Sequence, residues 1–445
     1  MPDKQSAEIT LARECLDFAL RSGASKVRIT LTRSVMDLVG ILNGEVDKVS
    51  HALDRSFQIA LFVDGRYGSF SSNRLEKKDL ETFILGAIDT VKMLEPDPFR
   101  TLPSRDRIAK NATGGKETAL YDDARAADRR EMALALSLWK DKEYLEKGFT
   151  ILGEEAEYSE TFSDMVVMDS EGLFARHTET SFEIGNEYTI ATPDGKLYSG
   201  YWWDASAFLK DIVESVKTCA KKALERTVEQ IGPGPASSGK YNVVVDSECA
   251  SKLLNPVLSA LGGFAVQQKN SFLADDLGAK VFADNMTVWD RPLDSGATGA
   301  RLFDSEGVAT REMPIIDQGV VKTFFLNTYI AGKMGLEPTV EDSTRVVVKP
   351  GSFESREQLM TAAGDGILVT GFNGGNSNSA TGDFSYGIEG FLFRSGKIVC
   401  PIKEMLMTGN FKTLWNSLAD TARDARPCLT KQIPSLWFIN VDISA

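Results

Sequence analysis

The chain has 445 residues, 42% of them apolar and 25% charged, a profile that argues against a disordered polymer and for two or three separate cores. Fifty basic residues against 63 acidic ones leave a formal charge of −13, which argues against a nucleic-acid binder, since that needs a basic face to release counterions. Only two histidines occur, His51 and His177, so a centre built on several imidazoles is nearly excluded. The cysteines (Cys15, Cys219, Cys249, Cys400 and Cys428) are odd in number, far apart and without Cys-x-x-Cys spacing. That usage points to a reducing compartment without a disulfide framework. The N-terminus leads into an amphipathic stretch rather than an apolar signal core, and no run approaches the roughly 18 apolar residues of a membrane span. A cytoplasmic protein without a membrane partner is expected.

From Ala7 to Leu20 the apolar residues follow helical spacing, with Gly23 as the stop. Alternating segments at Lys26 to Thr32 and Met36 to Leu42 predict strands, and Asn43-Gly44 predicts a hairpin turn because both residues tolerate positive φ. Phe57 to Val63, Asp64-Gly65 and Tyr67 to Phe70 predict a second hairpin, and Lys77 to Lys92 a helix. Pro96 to Gly115 reads as a connector. A helix is expected from Ala126 to Lys147, then a second meander and a helix from Ala205 to about Val228. The second meander echoes the first: Gly44, Ser56-Phe57-Gln58-Ile59 and Asp64-Gly65 recur as Gly172, Ser181-Phe182-Glu183-Ile184 and Asp194-Gly195. An internal duplication accounts for this, and so does the convergence of hairpins on Asp-Gly turns. Gly232 to Gly239 is the best linker. Beyond it come a strand at Tyr241 to Val245, helices at Cys249 to Leu261 and Lys322 to Met334, and many short β segments. Clustered rather than alternating elements favour an α+β fold. The expected division is 1–98 and 99–232, two α+β units of an N-terminal lobe with a repeated β-meander, and 233–445, a β-rich C-terminal lobe.

No catalytic engine is visible in the residues themselves. Gly371 to Gly390 is rich in Gly, Asn and Ser, which would let backbone approach a ligand, but it is neither a P-loop nor a dinucleotide fingerprint. A long surface turn explains the same composition. Asp304 and Glu306, two apart beside Arg301 and Arg311, could form a carboxylate dyad, although a solvated turn is the simpler reading. His51 and His177 read as ordinary strand histidines, and no Gly-x-Ser-x-Gly elbow exists.

The run from Gly371 to Gly390, continuing through Pro401 and Glu404 to Thr408-Gly409-Asn410, closely resembles the PmbA/TldE branch of the TldD/PmbA family. So does Arg301-x-Phe303-Asp304-x-Glu306-Gly307-x-x-Thr310, with Leu326 and Tyr329 after it, and the Met36 to Phe70 meander fits the same family. Its historical label is "modulator of DNA gyrase", a nucleic-acid role that the net charge disfavours. The resemblance implies cytoplasmic zinc metallopeptidases that process peptides and unfolded proteins as heterodimers. It implies that one branch carries His-Glu-x-x-x-His on a helix after the linker, with a C-terminal cysteine completing the zinc site. Here Asn255 and Pro256 stand at the positions of the first His and the Glu, and Ala260 at that of the second His, with Cys428 in the region of the third ligand. By that comparison this chain holds no metal of its own, and zinc belongs to a TldD-like paralogous partner. Gly374, Gly375, Asn373, Asn376 and Asn378 are the expected contacts to an extended peptide. The alternative is a stand-alone homodimer that binds peptides or regulates.

Overall fold

The computed structural model describes residues 2–139 and 148–445. Helix α1 (Pro2–Arg21) stops at Gly23, whose φ of +110° L side chains rarely adopt, and leads into β1 (Lys26–Leu42). The two segments expected here are one strand of 17 residues. Arg33, Ser34 and Val35 continue it because β2 (Glu45–Val63) pairs on one edge and β4 (Thr150–Asp169) on the other. Ladder bonds on both sides override a polar interruption. Asn43-Gly44 and Asp64-Gly65 turn the chain with all four φ values positive, and β3 (Arg66–Ser72) and α2 (Lys77–Val91) follow.

The same order then returns: α3 (Arg129–Leu134), β4, β5 (Phe174–Ala191), β6 (Leu197–Ser206) and α4 (Leu209–Val228). All six strands form one antiparallel sheet in the order β3-β2-β1-β4-β5-β6, so the two meanders meet at β1 and β4 and run outward in opposite directions. Two expected helix boundaries shift. The helix expected from Ala126 begins at Arg129, because the Asp128 carboxylate accepts the Arg130 and Glu131 amides, and it ends at Leu134; residues 140–147 lie outside the described residues. The helix expected from Ala205 begins at Leu209, because Ala205 and Ser206 are held in the sheet opposite Glu183 and Phe182.

Odd-numbered residues of β1 lie on the helix-bearing face of the sheet, and those at its two ends pack under helices. Val27 and Ile29 pack with Ala12, Phe57, Ile84 and Ile88 under α1 and α2, while Val39 and Ile41 pack with Tyr158, Phe182, Ile212 and Val216 under α3 and α4. The other face of the sheet, at Val167 and Ala175, meets Ala109, Ala112 and Phe303. The chain between the two meanders is therefore wedged between the sheet and the C-terminal lobe.

That lobe starts with β7 (Gly239–Val245), α5 (Ser251–Ala260) and α6 (Gly263–Gln267). A small sheet, β8 (Val288–Asp290), β9 (Met313–Asp317), β10 (Val320–Val321) and β11 (Val346–Val348), lies in the order β10-β9-β8-β11. Helix α7 is Thr328–Met334, shorter than expected: Phe325 is tied to Leu261 and Gly262, and the Asn327 side chain caps Ile330. After α8 (Arg356–Ala363) come β12 (Gly366–Ser377), β13 (Asp383–Arg394), β14 (Lys397–Asn410), α9 (Phe411–Asn416), β15 (Leu418–Thr421) and β16 (Leu436–Ser444). Strands β14, β13, β12, β7 and β16 follow one another, and β14 returns to pair with β16, so they close a barrel with β15 outside. Its core joins Leu253 and Val257 of α5 with Val243, Ile388, Met407, Trp415 and Phe438. Among the described residues, no helix is long and apolar enough to cross a membrane.

The two connectors read from the sequence differ in anchoring. Leu102, Ala109 and Ala112 are buried, the Ala109 amide donates to the Gly307 carbonyl, and Ala112 and Gly115 accept from Arg176 and Thr178. In 232–239, by contrast, Gly232, Pro233, Pro235, Ser237 and Ser238 are exposed. Limited proteolysis with mass mapping is expected to cut 232–239 well before 100–116, since nicking follows exposed backbone with few contacts. Cleavage of 100–116 first would mean that the wedge is not formed in solution.

Candidate functional site

A cleft of about 660 Å³ separates the lobes. One wall is Trp202 of β6 with Lys222 and Arg226 of α4; the other is Glu248, Arg356, Thr370, Gly371, Phe372 and Glu389. Trp202 gathers cations: the Lys222 ammonium lies 4.8 Å, the Arg226 guanidinium 5.2 Å and the Arg426 guanidinium 4.3 Å from its ring centre. Arg426 is also 4.8 Å from the Trp203 ring and donates to the Trp203 carbonyl at 2.5 Å, tying the C-terminal lobe to the last strand of the N-terminal sheet. Arg226 pairs with Glu248 at 2.5 Å. Arg356 pairs with buried Asp246; burial opposes its charge, but Asp246 and Glu357 outweigh that and raise its pKa. Sequence reasoning missed these arginines because their partners are far away in the chain. Adjacent tryptophans within a strand were the available signal.

Strand β12 runs out of this cleft. Its first residues, Gly366 to Val369, lie between β13 and β7, but β7 ends at Val245. From Thr370 to Ser377, among the described residues, only β13 pairs with it, so the other edge is open. The segment expected as a long turn or a strand edge is thus mostly hairpin, and its turn lies at Asn378 to Gly382. Asn373 and Gly374 form a bulge, with the Asn373 amide donating to Glu389 at 2.8 Å. The Asn378 side chain accepts the Ala380 and Thr381 amides at 2.9 and 3.3 Å, so it caps the turn. Gly374, Gly375 and Asn376 remain exposed on the edge.

The three positions on α5 do not share one surface. Asn255 is exposed and lines a second cleft of about 930 Å³ with Ser259, Gly262, Tyr329, Glu341 and Thr430. Ala260 is 3% exposed, in the core, and its carbonyl accepts from Ser271. Pro256 sits within the helix. Cys428 lines a different cavity, with Asp204, Phe208 and Ser215, and burial raises its thiol pKa. Among the described residues, no three His, Cys, Asp or Glu side chains converge to hold a metal.

The other candidates have structural partners. His51 Nδ1 is 2.7 Å from Asp37, and His177, 4% exposed, is 3.1 Å from Glu179. Asp304 and Glu306 are each held by donors of their own. Asp304 accepts the amides of Glu306, Val308 and Glu341, and its carboxyl is pushed up to about 6, chiefly by burial. Glu306 accepts the Thr328 amide and hydroxyl and lies 3.8 Å from Arg28 of β1.

Three family models match nearly the whole chain: PmbA/TldA metallopeptidase domain 1 over residues 27–91, the central domain over 119–231 and the C-terminal domain over 238–445. The chain is 25% identical to Metalloprotease PmbA of Escherichia coli O157:H7 over 91% of its own length and 88% of that protein's. It is also 25% identical to the Metalloprotease PmbA homolog of Haemophilus influenzae, covering 96% of this chain and 94% of the other. Among solved structures, a protein from Bacteroides thetaiotaomicron titled a modulator of DNA gyrase aligns with a TM-score of 0.91 and 39% identity, covering 98% of both chains. TldE from Thermococcus kodakarensis shares the fold, with a TM-score of 0.84 at 19% identity over 98% of this chain and all of that one. With both lobes, the closed barrel and the Gly/Asn hairpin accounted for, the chain belongs to the PmbA/TldD metallopeptidase family.

Proposed function

We propose that this chain is the metal-free, cytoplasmic subunit of a PmbA/TldD-type peptidase, and that a TldD-like paralogue supplies the zinc and the general base. The observation that carries this reading is the donor set on α5. Asn255 offers a neutral amide, Pro256 has no base, and Ala260 is a methyl group turned into the core. Zinc asks for three or four thiolate, imidazole or carboxylate ligands within about 2.0–2.3 Å, so these residues do not fit the ion. The family's zinc, when bound by a partner, would supply Lewis-acid chemistry there. This chain would contribute binding and orientation. An unfolded peptide laid along the open edge from Thr370 to Ser377 would pair main chain to main chain, a mode that tolerates many side chains. Gly374 leaves room for its approach, while Asn373 and Asn376 offer side-chain partners.

Co-expression with a paralogue bearing His-Glu-x-x-x-His is expected to give a one-to-one complex by size exclusion that degrades an unfolded protein, with activity lost when either chain is left out. A homodimer that ignores the paralogue and binds peptide alone would favour the stand-alone reading.

A further inference from the structure

The inner face of the N-terminal sheet has a gap midway between its two helix-covered ends. A cavity of about 700 Å³ lies there, a volume suited to a small molecule. Its floor is apolar: Val35 of β1 and Phe162 of β4 are cross-strand partners, Phe182 of β5 adjoins them, and Tyr121 packs edge-on against Phe162 at 6.1 Å. Arg33 is set into this floor, two residues before Val35 on the same strand face. Its Nε is shielded from solvent and has no hydrogen-bond partner among the described residues. At the exposed rim, Arg125 donates to the carbonyls of Asp122 and Ala124 rather than to a carboxylate.

The remaining cations of the cavity are paired. Arg129 lies 3.1 Å from Asp37 and 2.7 Å from Glu160, Arg176 is 2.7 Å from Asp164, and Lys116 is 3.8 Å from Asp123. In a chain of net charge −13, the lining carries five Lys and Arg side chains against three Asp and Glu. A shielded guanidinium N–H without an acceptor carries a desolvation penalty that an arriving anion offsets. We propose that this cavity binds a small carboxylate with an apolar body. The carboxylate accepts from Arg33 and Arg125, and the body lies on Val35, Phe162 and Phe182. A free aromatic acid and the C-terminal residue of a peptide share this chemistry.

Calorimetric titration of the full-length chain tests it, using naphthoate and acetyl-Gly-Phe as the two acids and their neutral amides as controls. At least one acid is expected to bind saturably at one site, and which one binds identifies the source. Its amide should bind at least about tenfold more weakly, the size of one charge-assisted hydrogen bond. Arg33→Met should weaken the acid by a similar factor with a melting temperature no lower than that of the parent chain. Arg125→Met, at an exposed position, should weaken it several-fold even if the Arg33 variant does not fold. Absence of saturable binding by both acids at millimolar concentration, equal binding of acid and amide, or an unchanged affinity in both arginine variants would overturn the proposal.

Discussion

Gly375→Val is expected to destabilise the C-terminal lobe by about 3–5 kcal/mol, whereas Gly374→Ala beside it should cost only about 1–2 kcal/mol. Both residues have left-handed backbone, with φ of +86° and +85°. Their surroundings differ. A Cβ on Gly374 meets nothing within 4 Å, but one on Gly375 would sit 2.0 Å from the Ser385 carbonyl oxygen and 2.7 Å from the Tyr386 Cα. Those atoms are backbone of the partner strand and cannot swing aside. Moving them would displace Tyr386, which stacks on Phe384 at 5.3 Å above Phe411 in the main core. Such loss of packing is the usual source of large effects. Denaturant unfolding followed by tryptophan fluorescence checks the pair, since Trp415 lies fully buried in that core. Equal, small losses at both positions would mean that the bulge is mobile and the register is not the one described. Gly375 is therefore unsuited to probing peptide approach without unfolding, and Asn376 is the better handle on the edge.

The adjacent glycines also show where sequence reading stops. Both look like room for a ligand, and only the pairing of Gly375 opposite Tyr386 separates a packing requirement from open space. Local signals were legible wherever the local term decides. Asn43-Gly44 and Asp64-Gly65 take the positive φ values their composition suggests, and the echo between the two meanders corresponds to one repeated order of elements. Long-range pairing was not legible. The continuity of β1 through Arg33 depends on β4, more than a hundred residues away, and the start of α4 was set by the ladder from β5 to β6. The wedge at 100–116 reads as a loop because its partners, Gly307 and Arg176, come from other elements. The interlobe arginines had only the adjacent tryptophans as a signal, since Arg226 finds Glu248 and Arg426 finds Trp202 across the cleft.

The largest functional effect expected is all-or-none: the isolated chain should cleave no unstructured peptide, and adding the paralogue should switch cleavage on. If α5 corresponds to the metal-binding helix that the family resemblance implies, an amide, a prolyl ring and a buried methyl group at Asn255, Pro256 and Ala260 leave no ligand there to recruit zinc. One thiol does not change this, since Cys428 faces a separate cavity and burial disfavours the thiolate that zinc requires. The direct test is metal analysis of the purified chain, alone and in complex. No stoichiometric zinc is expected on the chain alone, and zinc in the complex should follow the amount of the His-Glu-x-x-x-His partner. One tightly held zinc per isolated chain, accompanied by chelator-sensitive peptidase activity, would contradict it.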